Sequence, residues 1–197
     1  MTDLRDAYSE AWFRQRAGYR AAYGHFAAAI EQVWHPQGLI DVGCGAGYVV
    51  EHFAGRTGSI PVLGVDGSAA APAVQSEAAR RCCILADLTE PPRQDLGRYE
   101  FAVSIEVAEH IPAAGAEAFM RWFAGTRRVL FTAAPPGQGG LHHVNEQPPV
   151  YWRERFAAMG LAFDEPATQL WQAEARRRTS GCPWVVRNAM FFTAERP

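Results

Sequence analysis

The chain has 197 residues, 48% of them hydrophobic, which is enough to bury one sizeable core, and a single domain over 1–197 is expected. A net charge of -2 and a pI near 6.3 exclude the broad basic field that serves nucleic acid or anionic membranes. All 19 basic residues are arginine, a compositional bias that also suits carboxylate or phosphate recognition.

Cys44, Cys82, Cys83 and Cys182 lack metal-ligand spacing and read as reduced thiols, with Cys82 and Cys83 inside a buried strand. Met1 to Arg5 is polar and no apolar run is long enough to span a bilayer. The expectation is a cytoplasmic protein with no membrane or nucleic-acid partner.

Asp3 to Trp34 predicts one or two helices. Tyr8, Trp12, Tyr19, Tyr23 and Phe26 recur at three-, four- and seven-residue steps near one face, with Arg14, Arg16 and Arg20 among them. Tyr8, Trp12 and Arg16 share one stripe. Leu39 to Val42 is a strand that ends in Gly43-Cys44-Gly45-Ala46-Gly47, and a helix follows from Tyr48 to Arg56 before Thr57-Gly58 breaks it. Such glycines let the main chain approach a ligand, and the open N–H groups of the next helix favour a negative group. Ile60 to Val65 is a second strand, and Asp66 at its end stands about 20 positions past the glycines. There α/β folds bind a ribose hydroxyl pair. The two features point to a nucleoside cofactor.

Ser68 caps a predicted helix through Ala79. The run CCILADLTEPP is a third strand ending in Asp87-Leu88. Tyr99 to Ile105 is the fourth and runs into Glu106-Val107-Ala108-Glu109-His110-Ile111-Pro112, followed by a helix over 113–125. Ligands in open parallel sheets sit beyond such strand ends. After the fifth strand, Arg128 to Ala134, a loop broken by prolines and glycines carries His142, His143, Asn145, Glu146 and Gln147. A helix over 148–159, a short strand Leu161 to Phe163, a helix over 167–178 with a solvated triple-arginine end, and a long strand Trp184 to Thr193 complete the pattern.

The segment LIDVGCGAG, with Asp41, Gly43, Gly45 and Gly47, resembles the first motif of the class I S-adenosylmethionine (SAM)-dependent methyltransferases. The sixth position of the nicotinamide-type glycine pattern is Tyr48 here. The resemblance covers nearly the whole chain. It implies an α/β fold of the Rossmann-like kind: a three-layer α/β/α sandwich on a mostly parallel seven-stranded sheet with one antiparallel strand. Residues 1–36 would be an N-terminal helical lid and 37–197 the core.

The cofactor implied is SAM, with S-adenosylhomocysteine (SAH) as product. Asp66 would hold the ribose; the Asp87 carboxylate would accept from the adenine amine, with Leu88 covering the ring. Glu106 would border the methionine end, and Arg16 would pair with its carboxylate or with an acidic acceptor. Small-molecule and sugar O-methyltransferases carry a stretch similar to GQGGLHHVNEQPPVYW. That places His143 and Asn145 at the acceptor with Gln138 and Trp152 in support, makes His142 the less important histidine, and lays Tyr8 and Trp12 over the site. A W-x-x-x-N-x-x-x-F ending like Trp184, Asn188 and Phe192 also recurs in these relatives. Some metal-dependent relatives use a Glu-x-x-Glu-His set plus a later histidine, which Glu106, Glu109 and His110 match, although metal-free relatives share these letters; no resident metal is expected.

Methyl transfer from a sulfonium is an in-line displacement that needs the acceptor about 3 Å from the methyl carbon. A hydroxyl acceptor gains from a general base, and histidine suits that work. The expectation is that His143 takes the proton with His110 or Glu109 assisting, whereas an acidic oxygen would only be oriented. The leading function is O-methylation of a small polar, sugar-like or acidic metabolite. The alternatives are a metal-assisted hydroxyl methyltransferase and a non-catalytic SAM-binding regulator. Oligomeric state is not indicated.

Overall fold

The structure, a computed structural model, describes residues 8–55, 60–93, 95–96 and 99–194. The polar stretch from Met1 to Arg5, the first residues of the expected lid and the helix break at Thr57-Gly58 lie outside these residues.

Near the N-terminus, Ser9 caps α1 (Glu10–Gln15) by accepting from the Trp12 N–H at 3.3 Å. A 3-10 turn (Ala17–Tyr19) leads to α2 (Arg20–Trp34), which ends where His35 turns left-handed. Strand β1 (Leu39–Val42) is followed by α3 (Tyr48–Ala54), β2 (Val62–Asp66), α4 (Ala71–Val74), α5 (Glu77–Cys82) and β3 (Cys83–Leu85). Then come β4 (Phe101–Ile105), α6 (Ala116–Met120), β5 (Arg128–Thr132), α7 (Pro149–Ala158) and β6 (Leu161–Phe163). The chain closes with α8 (Glu165–Arg178), α9 (Pro183–Asn188) and β7 (Met190–Ala194).

These strands form one sheet in the order β3-β2-β1-β4-β5-β7-β6. The pairings β2–β3, β1–β2, β1–β4 and β4–β5 are parallel, and β7 runs antiparallel to both β5 and β6. This is the Rossmann-like arrangement with one reversed strand. The sheet order reverses between β1 and β4, and the crevice at such a switch point is where open α/β sheets bind ligands.

Alternation along the strands divides the core between the two faces. Ile40, Val42, Ala102, Val129, Phe131 and Phe192 pack on one side with Phe119, Phe123, Trp152 and Phe156. Leu39, Phe101, Val103, Leu130 and Phe191 pack on the other with Phe26, Ile30, Phe53, Trp171 and Val185. Helices therefore cover both faces, giving three layers.

Several local expectations are corrected. The stretch from Trp184 to Thr193 is not one strand: Pro183, whose ring suits the first turn of a helix, opens α9, Val185 and Val186 are buried on it, and only then does β7 begin. Strands β6 and β7 pair antiparallel although α8 and α9 lie between them in the chain. The helix expected through Ala79 is split, since Gln75 is extended and Ser76 starts α5 by accepting from the Ala79 N–H at 3.3 Å. Cys82 ends α5 and Cys83 starts β3, an edge strand whose Leu85 is 60% exposed, so neither cysteine sits in a buried strand. The helix expected over 113–125 is α6 flanked by two 3-10 turns. The arginine end of α8 is solvated as expected, with Arg176 and Arg177 exposed, and Glu174 Oε1 accepts from Arg177 Nη2 at 2.8 Å and from Arg178 Nε at 2.5 Å.

Phe131, in the second central strand, is fully buried with its ring near those of Phe123, Trp152 and Phe156. Phe131→Ala is expected to lower unfolding free energy by about 3–5 kcal/mol in urea titrations, as for other large aromatic truncations in a core. A loss below about 1 kcal/mol would show that this layer is loosely packed.

Candidate active site

A cavity of about 800 Å³ opens at the C-terminal edge of β1, β2 and β4, beneath the N-terminal segment. Its floor is the turn after β1. Gly43 has φ +86, and a Cβ there would lie 2.3 Å from Val107 Cγ2, so the position is closed to side chains. Gly45 and Ala46 also face the cavity. Gly47 has φ +73 and does not line it; its missing side chain lets α5 approach, because a Cβ would meet that of Ala79 at 2.8 Å.

Asp66, at the end of β2, accepts from the Gly45 N–H at 2.7 Å and from the Ser68 N–H at 2.8 Å. The carboxylate thus pins the glycine turn to the loop after β2, and burial pushes its pKa up against these two donors. Beyond β3, Asp87 Oδ1 accepts from the Thr89 N–H at 2.9 Å and its hydroxyl at 2.6 Å, and Asp87, Leu88 and Thr89 form the next part of the wall. Asp41 lies in β1, buried and off the cavity wall, where desolvation, then the Asp66 charge, raises its pKa to about 8.

At the end of β4, Glu106 takes φ +54, a left-handed conformation that costs a non-glycine residue roughly 1–3 kcal/mol. Its N–H donates to Thr132 Oγ1 at 2.9 Å, and its carboxylate accepts from Gln138 Nε2 at 2.9 Å and from Asn188 Nδ2 at 3.2 Å. Glu106 lines the cavity; Gln138 stands behind it.

The following 3-10 turn (Ala108–His110) brings in the histidines. His110 lines the cavity, with Nδ1 at 2.7 Å from the Tyr8 hydroxyl and 3.2 Å from the His142 carbonyl. Burial lowers its pKa to about 4, so the ring is neutral at pH 7. His142, at φ +57, is on the wall as well, next to Val144. His143 is behind His110, with ring centroids 4.9 Å apart and its ring packed on Gly140, and donates Nδ1–H to Glu146 Oε1 at 2.7 Å. Glu146 also accepts from the Gly137 and Gly139 N–H groups at 2.8 and 2.7 Å, which folds the loop around the ring.

Glu109 is fully buried and neither carboxylate oxygen has a hydrogen-bond partner, so burial, then the Glu106 charge, raises its pKa to about 8. Ligand atoms of Glu109, His110 and His143 all lie within 4.8 Å of one another. Of the expected pattern, Glu109, His110 and a later histidine come together, and Glu106 is held by two amides instead.

The N-terminal segment covers the opposite side. Tyr8, Trp12, Arg16, Tyr19 and Tyr23 all face the cavity, and the Arg16 guanidinium lies 3.9 Å over the Trp12 ring. Ser68 does not cap a long helix; its hydroxyl donates to the Tyr8 carbonyl at 2.8 Å and so ties this segment to the loop beside Asp66. Asn145 is buried behind the wall, its amide oxygen accepting from Gln147. Trp152 is 1% exposed and packs on Phe131 and Tyr151 in the core, away from the cavity.

No place at the site was expected for Ser68, Glu146 or Asn188: Ser68 was read as a helix cap, Glu146 as one of the polar residues of the loop after the fifth strand, and Asn188 as part of the tryptophan–asparagine–phenylalanine ending.

Because Asp41 is raised from 3.8 to about 8 on folding, its protonated form favours the native state, and that stabilisation is lost as pH climbs from about 4 through 8. The expected slope is up to about 1.4 kcal/mol per pH unit from this group. Asp41→Asn should gain on the wild type in urea titrations between pH 5 and pH 8.5. A pH-independent difference would contradict a buried, protonated Asp41.

The family described as "Methyltransferase domain" matches residues 39–130, from β1 to β5. No curated protein matches the sequence. Among solved structures, magnesium protoporphyrin IX methyltransferase from Synechocystis PCC 6803, with bound SAH, is 15% identical with a TM-score of 0.65, over 98% of both chains. A putative methyltransferase of Haloferax volcanii, in complex with the Trm112 methyltransferase activator, is 16% identical with a TM-score of 0.67, over 99% of both. The Haemonchus contortus phosphoethanolamine N-methyltransferase 2, in complex with phosphomonomethylethanolamine and SAH, is 16% identical with a TM-score of 0.65. It spans all of this chain and 61% of its own. No described helix is long and apolar enough to cross a membrane. Residues 39–130, whose strand ends border the cavity, match a methyltransferase domain, and the chain as a whole has the fold of methyltransferases that bind SAH.

Proposed function

We propose that the protein methylates an oxygen of a small polar or acidic metabolite held between the N-terminal segment and the loop after β5. The observation that carries this reading is the continuity of the cavity. One space of about 800 Å³ runs from the glycine turn, Asp66 and Asp87-Leu88 to His110, His142 and Tyr8. It has room for a nucleoside cofactor and a compact second molecule. Asp66, Asp87 and Leu88 would hold the adenosine of SAM, and Glu106 and Arg16 its methionine end; when bound it would supply the methyl group on a sulfonium.

Of the two expected histidines, His110 is on the wall, so it meets the acceptor. As a neutral ring with Nδ1 held by Tyr8 and the His142 carbonyl, it orients the acceptor oxygen and takes its proton as the methyl bond forms. His143, fixed by Glu146, supports it from behind. Most of the rate comes from alignment, because the sulfonium is already an excellent leaving group. Tyr8 and Trp12 close the acceptor side, and Val144, 58% exposed, gives the mouth an apolar edge.

A second reading is favoured by Glu109. A buried carboxylate with no hydrogen-bond partner beside two imidazoles is a donor set that fits a divalent cation. Glu109, His110 and His143 would hold the ion, which when bound would act as a Lewis acid on the acceptor hydroxyl.

Labelled SAM incubated with a panel of hydroxyl and carboxyl acceptors identifies the substrate. On the acceptor found, His110→Ala should lower kcat by about 10²-fold or more while SAH affinity stays within about twofold. Unchanged turnover would remove His110 from the chemistry. Loss of turnover on chelation, restored by one divalent ion, would select the metal-assisted reading; indifference to chelator would reject it.

A further inference from the structure

Asn188 closes α9 and is 82 positions from Glu106 in the chain, yet the two side chains meet. Asn188 Nδ2 donates to Glu106 Oε1 at 3.2 Å and to Gln138 Oε1 at 2.9 Å, while Gln138 Nε2 donates to Glu106 Oε2 at 2.9 Å. Each carboxylate oxygen thus has an amide donor. The three residues come from three segments: the end of β4, the loop after β5, and the helix before β7. The Glu106 backbone is in the left-handed region, a conformation that persists only where surrounding contacts enforce it.

The kind of partner matters. Neutral amides orient a carboxylate without cancelling its charge, whereas an arginine would neutralise it. Among the described residues no arginine or histidine forms an ion pair with Glu106, and Glu106 is one of the residues that line the cavity. An aligned negative charge on the wall of a cofactor cavity is complementary to a primary ammonium, and SAM carries one on its methionine end.

We propose that Asn188 is a positioning residue for the cofactor: with Gln138 it holds the Glu106 carboxylate toward the α-ammonium of SAM. Because Gln138 belongs to the acceptor-side loop, the same triangle joins the methionine end of the site to that loop. This rests on Glu106 facing the methionine end.

The test compares two ligands by calorimetry. SAH has the amino-acid end, and 5′-methylthioadenosine keeps the adenosine and sulfur but lacks it. Asn188→Ala is expected to weaken SAH binding roughly tenfold, the scale of a disturbed charge-assisted contact, and to leave methylthioadenosine within about twofold. Equal weakening of both ligands, or of neither, overturns the assignment. Gln138→Ala, on a partly exposed loop position, should show the same selective loss and serves if Asn188→Ala does not fold. Glu106→Gln separates the premises. If it spares SAH, Glu106 does not face the ammonium. If it weakens SAH selectively while Asn188→Ala does not, the premise stands and the role of Asn188 falls.

Discussion

The Asp66 carboxylate, shared between the Gly45 and Ser68 N–H groups, is the tie on which the cavity depends. It fixes the floor of the site to the loop after β2, and Ser68 passes that constraint on to Tyr8. Tyr8 in turn reaches His110. One chain of contacts therefore runs from the end of β2, through the N-terminal segment, to His110. Its geometry follows from the parallel register of β1 with β2 and β4, which brings the ends of these strands to one edge. The left-handed glycines then keep that edge free of side chains.

The histidine side is built differently. Burial governs the charge there: His110 is held neutral, and Glu109 is pushed toward its protonated form. A site that keeps its own groups uncharged lets the sulfonium and its partners dominate the local field. Glu106 stands apart from these groups, its carboxylate held by the Gln138 and Asn188 amides.

Much of the fold was legible because β1, β2 and β4 are apolar runs ended by glycine or an acid and β5 is one ended by a pair of prolines. What escaped was decided by tertiary context. Val185 and Val186 read as strand residues but are buried on a helix that Pro183 begins. Cys82-Cys83 looks like a core strand by composition, but Cys82 ends a helix and Cys83 starts the edge strand, whose Leu85 is exposed. In the site, the glycine turn and Asp66 were readable from spacing, Asp87, Leu88 and Glu106 came from the family resemblance, and Asp41 and Gly47, expected beside them, lie off the cavity wall. The loop after β5 was not readable in this way: spacing cannot tell which of two adjacent histidines turns toward the cavity. The positive φ of His142 and the grip of Glu146 on His143 decide it. Trp152 was drawn to the site by its place in a motif, whereas its size and the aromatic surroundings of Phe131 put it in the core.

The most direct measurement is a crystal structure of the protein with SAH. The account predicts one SAH in the cavity of about 800 Å³, with ribose hydroxyls on Asp66, adenine beside Asp87 and Leu88, and the sulfur directed at His110. An SAH bound outside this cavity, or with its sulfur turned from His110, would contradict it.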